Sequence, residues 1–89
     1  MAVVVHIPGP LAPFAEGRSR LSLPAPRTVG EALHALPAGV KDRVMDEQGR
    51  VRPHVNVFVG SESIRDSGGL ERSLSPGDEL HIIAAVSGG

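Results

Sequence analysis

The residues of this chain best suited to chemistry are its last two, Gly88 and Gly89, with the α-carboxylate that Gly89 carries. Neither has a Cβ, so the backbone there fits a slot that would exclude any larger residue. They follow an alternating apolar run. Leu80, Ile82, Ala84 and Val86 fall on one side of a pleat, with His81, Ile83 and Ala85 on the other. The pattern predicts a strand that delivers a narrow tail, Val86-Ser87-Gly88-Gly89, to a partner. A carboxylate becomes an acyl donor only when its oxygen is turned into a leaving group, so the reactive group would be activated by another enzyme. Most chain ends are simply frayed, and two glycines alone are a pointer rather than a proof.

Other chemistry finds less support. There is no cysteine, which excludes thiolate metal sites and a thiol nucleophile within the chain. Of the four histidines, His6 and His81 belong to elements that would be neighbouring strands, yet no third ligand is expected beside them. His34 has no histidine or carboxylate one helical turn on, and no metal site is expected. Asp66 and Asp78 sit where local backbone hydrogen bonding accounts for them, and with Glu79 they do not suggest an acid–base pair. Gly68-Gly69 lacks the lysine and the spacing of a phosphate loop. Arg65 reads as a solvated side chain. Lys41 is the only lysine, so self-linked chains through isopeptide bonds are not expected.

The elements that must position the tail are legible from alternation and punctuation. Ala2–Ile7 alternates, with Val3, Val5 and Ile7 on one face, and Pro8-Gly9-Pro10 ends it. A Pro-rich loop runs through Gly17. A second strand over residues 18–23 points Leu21 and Leu23 inward. Thr28 and Glu31 form a capping box, and Val29, Ala32, Leu33 and Leu36 make one helical stripe. Pro37 and Gly39 close that helix, with Val40 to Val44 adding one further turn. His54–Val59 is a third strand with Val55, Val57 and Val59 on one face. Short strand Ser63–Arg65 and a type II turn at Ser75-Pro76-Gly77-Asp78 precede the last strand. This order predicts an α+β chain of the β-grasp type: a mixed sheet of four to five strands, one main helix across one face, and a flexible Gly-Gly tail. The first and last strands would be parallel and central. The domain is expected to span residues 1–86, and the tail residues 87–89.

On the sheet face away from the helix, Val4, Phe58, Ile83 and Ala85 would lie together, joined by His6, His54 and His81. Single exposed apolar residues are ordinary. Phe58 and Ile83 together near the exit of the tail read instead as a docking surface, with Ala85, His81 and Val4 around them.

Composition narrows the class. The 89 residues hold 40% hydrophobic but only 2% aromatic side chains, so the core must be aliphatic. A net charge of −1 with no basic patch argues against nucleic acid. No run is long enough to span a bilayer, and Ala2-Val3-Val4-Val5 lacks the marks of a signal peptide, so a cytoplasmic place is expected.

The second half of the chain resembles the ThiS/MoaD ubiquitin-like sulfur carriers. The residues that carry the resemblance are His54-Val55-Asn56-Val57-Phe58-Val59, Ile64-Arg65-Asp66-Ser67-Gly68-Gly69-Leu70, Pro76-Gly77-Asp78-Glu79-Leu80-His81-Ile82 and Ala84-Ala85-Val86-Ser87-Gly88-Gly89. Arg-x-Ser-Gly-Gly-Leu and the Ala-Val-Ser-Gly-Gly ending look most like the cysteine-biosynthesis (CysO-like) branch. Ala84 departs from the proline often found there. The resemblance implies no catalytic residue and no bound cofactor. An E1-like enzyme of the MoeB/ThiF type would use ATP to adenylate Gly89, and a sulfur donor protein would convert it to a thiocarboxylate. A biosynthetic enzyme would then accept the sulfur, for cysteine or another small metabolite. The alternatives are a ubiquitin-like modifier joined to other proteins through Gly89, and the small subunit of a molybdopterin-synthase-like complex.

Overall fold

The computed structural model describes residues 2–84, and Ala85, Val86, Ser87, Gly88 and Gly89 lie outside the described residues. Strand β1 (Ala2–His6) pairs antiparallel with β2 (Arg20–Pro24), placing Val5 opposite Leu21 and Val3 opposite Leu23. Helices α1 (Val29–His34) and α2 (Ala38–Val44) follow. The sheet is completed by β3 (Val55–Val59), the two-residue β4 (Glu62–Ser63) and β5 (Glu79–Ala84). Its order is β2-β1-β5-β3-β4, with β1 and β5 parallel and central. This is the β-grasp arrangement.

The alternation in the sequence is what sets the two faces. Val3, Val5, Leu80, Ile82, Val55 and Val57 turn towards the helices and are buried. Opposite them stand Val29, Ala32, Leu33, Val40 and Val44, each 0% exposed. Neither Phe14 nor Phe58 belongs to this buried cluster, so the core is aliphatic apart from the thioether of Met45. Among the described residues no buried side-chain nitrogen or oxygen lacks a partner. No helix among them is long and apolar enough to cross a membrane.

The cap of α1 forms as the sequence predicts. The Thr28 hydroxyl accepts from the Glu31 amide at 3.2 Å, while the Glu31 carboxylate accepts from the Arg27 amide at 3.0 Å. At Ser75–Asp78 the Asp78 amide donates to the Ser75 carbonyl, and Gly77 holds φ +91°, as a type II turn requires.

Four expectations need correction. The single main helix is two short helices of similar length, because Pro37 starts a new helix and does not simply end the first. Pro fits the entry to a helix, where its missing N–H would be unpaired anyway. The Pro-rich loop contains a 3-10 segment, Gly9–Ala15, which buries Leu11 and Ala15 beneath α2. The short strand is shifted to Glu62–Ser63. Ser63 caps a 3-10 turn at Ile64–Asp66, its hydroxyl accepting from the Arg65 amide at 3.3 Å. Strands at the other predicted sites begin or end one or two residues away, at Arg20–Pro24 and Val55–Val59, and the last strand starts one residue early, at Glu79.

Candidate functional site

Among the described residues β5 is the element nearest Gly89 in sequence, and its setting is rigid. β5 is paired on both sides, parallel to β1 and antiparallel to β3, with Leu80 and Ile82 sunk in the core. A doubly paired strand has its backbone hydrogen bonds committed and cannot swing. Ala84, the last described residue, is paired with Val55. The predicted tail residues Val86, Ser87, Gly88 and Gly89 lie beyond it, outside the described residues.

On the face away from the helices, the register places the expected docking residues side by side. Phe58 stands directly opposite His81, Ile83 opposite Asn56, and His81 opposite His6. Val4 faces Glu79 across the parallel pair. Ile83 is 52% exposed, a high value for a large apolar side chain, while Phe58, His81 and Val4 are half-buried. Phe58 on β3 and Ile83 on β5 are thus diagonal neighbours on the open face. Ala85 lies outside the described residues. His54, expected on this face, precedes β3 and lines a different surface.

That surface is a cleft of about 510 Å³ beside Ala84, lined by Pro10, Leu11, Arg43, Arg52 and His54 among others. The Arg43 guanidinium lies 3.5 Å from the centre of the Phe14 ring, and the Arg52 Nε donates to the Asp42 carbonyl at 3.0 Å. Sequence reasoning missed these two arginines beside Ala84, because nothing in their spacing ties α2 or the segment before β3 to the last strand. Arg65 also needs correction. It is not merely solvated: its guanidinium donates to the Val55 carbonyl at 2.8 Å and braces the Ile64–Asp66 turn against β3.

The absence of a third ligand near His6 and His81 is likewise overturned. His6 Nε2 donates to Glu79 Oε1 at 2.6 Å, and the two imidazoles stack with centroids 4.3 Å apart. Glu79 comes two residues before His81, so both point to the same face of β5. Its carboxyl is held below the usual glutamate range, first by the hydrogen bond from His6, against a desolvation that acts the other way. A depressed folded value means stability that is present above the unfolded value and lost as pH falls through the folded one. The parent should therefore lose stability more steeply than Glu79→Gln on acidification from about pH 5 to pH 3. Denaturant midpoints taken across that range would show it, and parallel profiles for the two proteins would contradict it.

Comparison with known proteins decides the lineage. Residues 5–89 match the ThiS family. The chain belongs to the ThiS family. This ThiS-family chain is 36% identical over 94 residues to the sulfur carrier protein CysO of Mycobacterium tuberculosis, covering 100% of both. The crystal structure of Mycobacterium tuberculosis CysO superposes with a TM-score of 0.85 at 34% identity, over 94% of this chain and 99% of that one. CysO in the Amycolatopsis orientalis BexX/CysO complex gives 0.84 at 36% identity, over 99% and 100%. Small archaeal modifier protein 3 of Haloferax volcanii is 35% identical over 65 residues, 70% of each chain. The ThiS-family chain is thus a ubiquitin-like β-grasp protein of the CysO-like sulfur-carrier type.

Proposed function

We propose that the Gly89 carboxylate is the working group, adenylated by an E1-like partner of the MoeB/ThiF type and converted to a thiocarboxylate. In the first step a carboxylate oxygen attacks the α-phosphorus of ATP and pyrophosphate leaves, giving an acyl-adenylate. Sulfide-level sulfur delivered by a donor protein then attacks the acyl carbon, the C–O bond to phosphate breaks and AMP leaves. The thiocarboxylate passes its sulfur to a biosynthetic enzyme that makes cysteine or another small metabolite, the carrier returning to the carboxylate by hydrolysis. The carrier contributes no catalytic side chain; ATP and all the chemistry belong to its partners.

The observation that carries this reading is that the family match runs through residue 89 while β5 ends its described course at Ala84 in the centre of the sheet. Five residues reach at most about 18 Å from there. That length suits a tail entering a partner's active site while the body stays outside. The exposed Ile83 with Phe58, His81 and Val4 then supplies the docking surface at the root of the tail; Ala85, expected with them, lies outside the described residues. The BexX/CysO complex supports the idea that a CysO-like carrier works against a protein partner.

ATP–pyrophosphate exchange with a cognate E1-like enzyme tests the first step. Exchange should depend on the carrier, and removing Gly88 and Gly89 should reduce it to the rate of enzyme alone. Equal exchange with the shortened chain would overturn the assignment of Gly89. Likeness to small archaeal modifier protein 3 favours a second reading, conjugation to lysines of other proteins. Discrete higher-mass adducts of this chain on denaturing gels would support conjugation, and their absence alongside thiocarboxylate would support sulfur carriage.

A further inference from the structure

The open face of the sheet holds a side-chain cluster that the activation chemistry does not use. His6 and His81 stand opposite one another on the two central strands, their rings only 4° from parallel. Glu79 accepts the hydrogen bond from His6 Nε2, and one donor atom from each of the three residues lies within 4.8 Å of the other two. We propose that His6, Glu79 and His81 form a surface site for a zinc-class divalent cation, with the fourth coordination position open.

The donor set selects the ion. Two imidazole nitrogens and one carboxylate oxygen suit zinc and its neighbours, whereas magnesium and calcium take oxygen donors almost alone. No thiolate is present to favour a softer ion. The platform is fixed from beneath, since Val5 and Leu80, next to the ligands in sequence, are each 0% exposed on the opposite face. Only side chains have to move. The 2.6 Å His6–Glu79 hydrogen bond must open so that an ion can sit about 2.0–2.2 Å from each donor. Parallel rings aim their in-plane lone pairs side by side, so one imidazole must also turn about its side-chain bonds. His81 is half-buried and retains an open side. Arg20 faces His6 across β1 and β2 and opposes a dication.

The site shares His81 with the proposed docking surface, but its test is independent of the sulfur-carrier reading, because it uses the tag-free chain alone. Zinc chloride titrated calorimetrically at neutral pH should bind one to one. His6→Gln, Glu79→Gln and His81→Gln should each weaken binding at least about tenfold, with His34→Gln and His54→Gln unchanged. Imidazole NMR signals of His6 and His81, and not those of His34 or His54, should shift on zinc addition in the unmutated protein, which does not depend on any variant folding. No saturable binding below about a millimolar overturns the proposal. Parent-like affinity in any of the three ligand variants, or loss in His34→Gln or His54→Gln, overturns it equally.

Discussion

Ile83→Glu is expected to lower kcat/KM for adenylation by the cognate E1-like enzyme at least about tenfold, with the loss falling on KM for the carrier. Ile83 is 52% exposed on β5, opposite Asn56 and diagonal to Phe58. A charge there meets solvent in the free protein, so the fold tolerates it. In a complex the same charge would have to be desolvated against the partner, a cost that appears only on docking. Catalysis at saturation should be nearly unchanged, because the tail and its carboxylate are intact. Phe58→Glu should act in the same direction. Steady-state kinetics with the carrier as varied substrate decide the matter, and parent-like values for both variants would remove the open face from the docking account.

Leu33→Ala should cost about 2–5 kcal/mol of folding stability. Leu33 is 0% exposed and is the largest side chain that α1 places in the core. A six-residue helix does not hold itself together, since one or two turns barely offset the cost of nucleation. It persists because Val29, Ala32 and Leu33 are packed against the sheet. A chain of 89 residues has only about 4–13 kcal/mol in total, so the loss is a large share. Thermal unfolding should drop by roughly 10–25 °C. A change of less than a few degrees would mean that the helix is held by something other than this contact. At a temperature where the variant is folded, adenylation should match the parent, because Leu33 lies on the far side of the sheet from Ile83.

Local signals made most of the fold legible. Period-two alternation placed β1, β3 and β5 and assigned their buried faces, because a one-residue slip would have exposed every valine. The capping box at Thr28 and the turn at Ser75–Asp78 depend on neighbours in sequence and formed as expected. What escaped depends on distance. His6 and Glu79 are 73 positions apart, and nothing in either neighbourhood fixes the register of a parallel pair. Arg65 reaches a carbonyl ten residues back, and a lone arginine carries no sign of that. Pro37 was ambiguous for a different reason. The same residue type ends one helix and begins the next, and the burial of Val40 and Val44 beneath the sheet decided in favour of both. Alternation also placed Ile83 and Phe58 on the open face of the sheet, where Ile83 stands 52% exposed and Phe58 is half-buried. The arginines beside Ala84 break no rule and gave no signal.

The central claim is that this chain works through its terminal carboxylate. Incubating the purified carrier with its E1-like enzyme, ATP and a sulfur donor, then measuring intact mass, tests that claim most directly. The account predicts a gain equal to the exchange of one oxygen for sulfur, located by fragmentation to Gly89 and reversed when an acceptor enzyme is added. An unchanged mass with an enzyme shown to be active on the chain, or a sulfur adduct located anywhere but Gly89, would contradict it.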